Sequence, residues 1–162
     1  MFNFLKKKNT VDAFHSVANG TLIPMSSVED QVFSAKMLGD GFAVRPTDNN
    51  VFAPVAGTVT SVFPTQHAIS ITTDSGLEVL VHMGLETVAL DGVPFNVLVS
   101  EGQVVTPETQ LATMDLEELK KTETLSTIVV AITNMDKVAS MTDATEQAIA
   151  ASAPVLEVTP TK

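Results

Sequence analysis

This sequence predicts an all-β fold: an antiparallel β-sandwich of jelly-roll or Greek-key type with one or two short helices. Three observations carry the prediction. From about Gly20 to Asn134, short runs of Val, Ile, Leu and Thr are punctuated by Gly, Pro, Asp and Asn at intervals of about ten residues, the rhythm of a sandwich or barrel. Val, Thr and Ile are frequent while Trp and Tyr are absent, which favours sheet and makes the core aliphatic. A chain of 162 residues with 44% hydrophobic content has the size and apolar material of one compact domain.

Residues 1–12 are expected to form a flexible basic arm and residues 13–162 the domain. In the opening MFNFLKKK, Phe2, Phe4 and Leu5 precede Lys6, Lys7 and Lys8. No apolar core of signal-peptide length follows, so the segment is expected to stay on the protein and to make at most a peripheral membrane contact. His15, next to this arm, is expected to be exposed to solvent. Strands are predicted over 20–24, 32–37, 42–46, 51–53, 57–62, 68–73, 77–83, 88–90, 94–99, 103–105, 110–114 and 127–133. Asp115 to Lys121 reads as a short helix with Asp115 as N-cap, and the Ala-, Glu- and Gln-rich stretch Asp143 to Ala151 as a second. The apolar ending Ala153 to Val158 is expected to be a closing strand.

Composition also excludes classes of function. A net charge of −10 and a pI near 4.5 argue against nucleic acid, whose phosphates need a Lys/Arg surface, and point to partners that bring positive charge. The absence of cysteine removes disulfides, thiol nucleophiles and Cys-ligated metals, and fits a cytoplasmic protein. No run approaches the roughly 18 apolar residues that a spanning helix needs.

His67 and His82 bracket a hairpin in which HAISITT and LEVLVHM flank the turn Asp74-Ser75-Gly76. With a three-residue loop, Ile71 faces Val79, Ile69 faces Val81, and His82 stands opposite Ala68. Strict alternation then aims the two imidazoles to opposite faces. They meet only if the segment Phe63-Pro64-Thr65-Gln66, whose Pro interrupts the strand, makes a corner that releases His67 from alternation. By composition each histidine is most simply a hydrogen-bonded structural residue. The chemical alternatives are a two-His metal site, an acid/base pair, or a His nucleophile with a His helper.

The segments APVAGTV at 53–59, FPTQHAISI at 63–71 and LVHMGLETVALDG at 80–92 resemble the signature of the glucose-type IIA family of bacterial sugar phosphotransferase systems. The likeness continues through EDQVFSAKMLGDGFAVRPTD at 29–48, SEGQVVTPETQLATMDLEEL at 100–119 and VVAITNMD at 129–136. It implies a phosphocarrier without a cofactor that takes a phosphoryl group from an HPr-like protein and gives it to the IIB domain of a sugar permease. Regulatory proteins that read the phosphorylation state are further implied partners. The family's V-H-x-G motif falls on Val81-His82-Met83-Gly84, which implies His82 as phosphohistidine nucleophile through Nε2, its other nitrogen expected to be held by a backbone carbonyl near Gly84. The T-x-H-A motif falls on Thr65-Gln66-His67-Ala68, which implies that His67 stabilises the phosphoryl group and Thr65 supports His67. Phe33, Phe63 and Val32 would frame the site, and Asp30, Glu86 and Asp136 would meet basic groups on partners. Relatives usually carry Asp where this chain has Glu86, and many carry Gly where it has Pro94.

The chemistry suits these residues. Imidazole is neutral near pH 7 yet forms a labile bond to phosphorus, and a loose transition state asks mainly for in-line placement and charge stabilisation. The alternative is a zinc-dependent hydrolase on a β-scaffold using the two histidines, but such peptidases generally want a His-x-His pair and Gly84 stands two residues after His82. Incidental zinc at His67 and His82 is a smaller expectation. A biotinyl or lipoyl carrier, suggested by Pro-Val-Ala-Gly-Thr-Val at 54–59, lacks the hairpin-tip lysine, since no Lys lies between Lys36 and Lys120.

Overall fold

The computed structural model describes residues 10–162, and its elements are almost all antiparallel strands. An eight-stranded sheet runs in the order β13-β2-β3-β11-β7-β6-β5-β9, with β2 at Gly20–Pro24, β3 at Asp40–Pro46, β5 at Gly57–Val62, β6 at Ala68–Thr72, β7 at Glu78–Met83, β9 at Val104–Val105, β11 at Ile128–Ile132 and β13 at Gln147–Ile149. Two three-stranded sheets complete the sandwich. One is β1 (Asp12–His15), β14 (Pro154–Pro160) and β12 (Val138–Met141); the other is β4 (Asn50–Phe52), β10 (Gln110–Met114) and β8 (Phe95–Val97). The helices are α1, Gln31–Ser34, and α2, Leu116–Lys121.

The central strands are buried on both faces, which accounts for their unbroken apolar runs. Leu22, Phe42, Val44, Val79, Val81, Ile128 and Val130 enter the main core with Phe14, Phe95, Leu111 and Met114. Their neighbours Ile23, Ala43, Val129 and Ala131 point the other way, into a second cluster closed by Met25, Val28, Phe33 and Leu85. Because His82 pairs with Val129, it belongs to this second face, the one that α1 covers through Phe33.

The hairpin register is as predicted: Ile71 faces Val79, Ile69 faces Val81, and Ala68 faces His82. Its loop closes through Thr73 N–H to the Leu77 carbonyl, 3.0 Å, and Leu77 N–H to Thr73 Oγ1, 3.0 Å. The cap of α2 is also as predicted, with Asp115 Oδ1 accepting from Glu118 N–H at 3.1 Å, and the closing strand forms as β14, between β1 and β12.

Four expectations need correction. The strand expected over 32–37 is instead α1 and the turn after it, because Asp30 caps a helix there: its Oδ1 accepts from Val32 N–H at 2.9 Å and Phe33 N–H at 3.3 Å. The strand expected over 88–90 is a 3-10 turn, Thr87–Leu90, between two left-handed residues, Glu86 and Asp91. The helix expected over 143–151 gives way to β13, where Gln147, Ala148 and Ile149 pair with Leu22, Thr21 and Gly20; pairing with an open sheet edge outweighs a weak helical propensity. His15 is half-buried in β1 rather than exposed, and its backbone N–H donates to the Pro54 carbonyl at 2.7 Å. The expected arm lies mostly outside the described residues; within it, Asp12 opens β1.

Candidate functional site

The site is built where the open end of the β6–β7 hairpin meets α1. His82 is the next-to-last residue of β7 and half-buried. Its ring stands 5.1 Å from that of Phe33 and 4.9 Å from that of His67, edge-on to both. His67 is only 5% exposed and lies edge-on to Phe63 at 5.5 Å. The structure therefore brings the two histidines together, against the alternation rule. The reason is the corner anticipated at Phe63–Gln66: the Gln66 N–H donates to the Phe63 carbonyl at 2.7 Å, and Gln66 is left-handed with φ +57. Strand alternation begins only at Ala68.

Each ring has one nitrogen engaged. His82 Nδ1 lies 2.8 Å from the Gly84 carbonyl, which only accepts, so Nδ1 carries the proton and Nε2 keeps its lone pair. His67 Nδ1 lies 2.5 Å from Thr65 Oγ1. When that hydroxyl donates, the His67 proton resides on Nε2, giving an acceptor on His82 and a donor on His67.

Both imidazoles have pKa values lowered from the ordinary 6.5, His67 by burial alone. For His82, burial comes first and His67 second; the bond to Gly84 and the Asp30 carboxylate oppose them without winning. Neutral rings are thus the resting state near pH 7. Below pH 6.5 the unfolded chain takes up protons that these folded rings resist, so stability falls with falling pH through that window and levels off above it. Two measurements check this: NMR titration of His82 with a midpoint below 6.5, and a urea midpoint whose decline below pH 6.5 is shallower in His82→Gln.

The carbonyl that holds His82 is itself tightly fixed. Gly84 has φ +80, and a Cβ there would stand 2.5 Å from Thr87 Cγ2 and 3.0 Å from the Leu125 carbonyl. Fully buried Thr87 donates to the Met83 carbonyl at 2.6 Å, and Gly84 N–H donates to the Thr127 carbonyl at 2.9 Å. Gly84→Ala is expected to lose about 2 kcal/mol or more of unfolding free energy in urea, from left-handed strain and the clash. Thr87 escaped the sequence reading as a site residue because its work is done through a backbone carbonyl.

The remaining expected residues divide. Val32 is 42% and Phe63 37% exposed, flanking the histidines with apolar surface, while Phe33 is buried at 5% beneath His82. Asp30 caps α1 and acts electrostatically on His82. Glu86 is exposed and left-handed, φ +59, just after the Gly84 turn. Asp136 is exposed in a 3-10 turn beyond the end of β11 remote from His82, since His82 pairs with Val129 and Val79 with Ile132.

An antiparallel sandwich with two pKa-lowered histidines side by side, one nitrogen of each engaged, is the arrangement expected from the resemblance to IIA-type phosphotransferase-system proteins. The family described as phosphoenolpyruvate-dependent sugar phosphotransferase system, EIIA 1, matches residues 12–138, and the chain belongs to it. It is a phosphocarrier component of a sugar phosphotransferase system. The chain is 43% identical over 128 residues to a glucose-specific EIIA component of Halalkalibacterium halodurans, spanning 79% of this chain and 74% of that protein. It is 46% identical over 139 residues to the glucose-specific EIICBA component of Streptococcus pneumoniae, covering 86% of this chain but only 19% of that longer protein. A solved structure of glucose permease IIA from Mycoplasma capricolum superposes with a TM-score of 0.80 at 34% identity, over 97% of this chain and 99% of that one. The zinc-hydrolase alternative is not supported, since the family model, the curated relatives and the solved structure all belong to the sugar phosphotransferase system.

Proposed function

We propose that His82 Nε2 accepts a phosphoryl group from an HPr-like phosphocarrier and passes it to the IIB domain of a sugar permease, in the cytoplasm, with His67 steadying the phosphoryl oxygens and Thr65 fixing the His67 tautomer. The observation that carries this reading is the complementary pair: a His82 Nε2 freed by the Nδ1 bond to Gly84, 2.8 Å, beside a His67 ring centred 4.9 Å away. The Nε2 lone pair forms the new N–P bond as the donor's N–P bond breaks, and that bonding pair leaves with the donor imidazole. The phosphorylated ring keeps its proton on Nδ1, which still donates to the Gly84 carbonyl. Positive character therefore remains in the ring, and the phosphoryl group leaves readily for the next nucleophile. His67 Nε2–H supplies a donor where charge sits on the equatorial oxygens.

Exposed Val32 and Phe63 give partners an apolar seat that excludes water, and Asp30 and Glu86, with Asp136 further along, offer acidic groups to basic ones. Relatives named for glucose make a glucose-type permease the expected destination. The test is intact mass after incubation with phosphoenolpyruvate, enzyme I and HPr. One acid-labile phosphoryl group is expected; an unmodified protein would overturn the reading.

A further inference from the structure

We infer, on the reading of His82 and His67 given above, that Gln66 is a positioning residue for phosphoryl transfer, clamping the corner that sets Thr65 against His67 by accepting a hydrogen bond from the backbone of the opposing sheet. Gln66 Oε1 accepts from Val97 N–H at 3.2 Å. Gln66 ends the corner that leads into β6, in the eight-stranded sheet, whereas Val97 ends β8, in a three-stranded one, so this bond ties the two layers together beside the site.

The corner needs such a tie. Gln66 is left-handed at φ +57, a conformation that costs any residue with a Cβ. The two residues it separates, Thr65 and His67, are the partners of the 2.5 Å contact that selects the His67 tautomer. One backbone conformation thus sets both ends of that bond. The segment leading into β8 approaches the same corner closely: a Cβ on Gly92 would stand 3.3 Å from the Thr65 carbonyl and 3.6 Å from Gln66 Nε2. Meanwhile the His67 carbonyl accepts from Met83 N–H at 2.7 Å and the Gln66 N–H donates to the Phe63 carbonyl at 2.7 Å, so backbone bonds close the corner within its own sheet and the Gln66 side chain adds its tie to the opposing one. Without that tie, the corner relaxes, Thr65 Oγ1 and His67 Nδ1 separate, and the His67 proton distributes over both nitrogens.

The test compares wild type with Gln66→Met, which keeps length but has no comparable acceptor, and Gln66→Glu, which keeps an acceptor oxygen. Two readouts are taken at a temperature where melting curves show all three folded, with Gln66→Leu replacing a Met variant that melts too low. The first is ¹⁵N NMR of the His67 ring in unphosphorylated protein. The second is the rapid-quench rate at which protein loaded by phosphoenolpyruvate, enzyme I and HPr passes its phosphoryl group to IIB. Gln66→Met is expected to show mixed His67 tautomers and transfer about tenfold slower, as a small misplacement of a catalytic group produces, while Gln66→Glu stays close to wild type in both. Wild-type tautomer and rate in Gln66→Met, or equal impairment in Gln66→Glu, would overturn the clamp. Failure of the wild type to load overturns the phosphocarrier reading instead, and the NMR comparison then still decides the clamp.

Discussion

His82→Gln is expected to gain no phosphoryl group from phosphoenolpyruvate, enzyme I and HPr, under conditions where the wild type gains one. The expectation follows from the division of labour within one ring. Nδ1 is committed to the Gly84 carbonyl at 2.8 Å, so nucleophilicity resides entirely on Nε2. An amide in that place offers an oxygen and a nitrogen whose lone pair is delocalised, neither able to form a stable bond to phosphorus at neutral pH. His67 cannot substitute, because with Thr65 donating to its Nδ1 it presents a proton where His82 presents a lone pair. The variant should nevertheless fold, since Phe33, which the imidazole covers, is one member of a second cluster that also holds Ile23, Met25, Val28, Leu85 and Val129. A fully phosphorylated His82→Gln, measured by intact mass, would move the nucleophile elsewhere.

Much of this architecture was legible before any coordinates. Period-two alternation and turn chemistry located the hairpin and its register, because Asp74-Ser75-Gly76 leaves little choice of loop and a one-residue slip would turn Ile69, Ile71, Val79 and Val81 out of the core. Two of the misread elements share a cause: local composition was weighed where a single long-range or capping interaction decided. Val32 and Phe33 look like strand until Asp30 is seen as a cap, and Asp143 to Ala151 looks helical until β2 is seen to offer an open edge. The candidate site was legible mainly through its resemblance to a family. Residue physics alone offered two outcomes, opposite faces by strict alternation or a meeting at a Pro-containing corner over Phe63–Gln66, and the left-handed turn at Gln66 that decides between them has no signature in a single sequence, because nothing in the residue type Gln announces φ +57. The same holds for Thr87, whose hydroxyl reaches a carbonyl four residues back.

The second cluster of the sheet explains why the site sits where it does. Most strands of a sandwich show one face to the core and one to water, but here β2, β3 and β11 bury both. α1 and the turn around Leu85 cover the second face, and His82 lies where that cover ends. The ring is therefore desolvated enough to lower its pKa yet only half-buried. On the proposed function, a site deeper under Phe33 would block protein-to-protein transfer, and one further out would lose the desolvation that lowers the His82 pKa.

His67→Gln separates acceptance from delivery. The variant is expected to be loaded on His82, because the lone pair on Nε2 is prepared by Gly84 and not by His67. Delivery to IIB should fall by about 10²-fold or more, the usual consequence of losing one preorganised donor to a transition-state oxygen. Gln retains an N–H, but on a stem with an additional rotatable bond and without the ring that packs edge-on against Phe63 at 5.5 Å and His82 at 4.9 Å. Its donor is consequently not held in place when charge develops, and ordering it costs free energy at the moment of transfer. Loss of His67 also removes the second-largest influence lowering the His82 pKa, leaving burial to do so alone against Gly84 and Asp30. The His82 titration midpoint should therefore rise in His67→Gln while its delivery rate falls. A delivery rate equal to wild type would mean that the neighbouring imidazole only packs against His82. A variant that cannot be loaded at all would mean that His67 already acts when the phosphoryl group arrives.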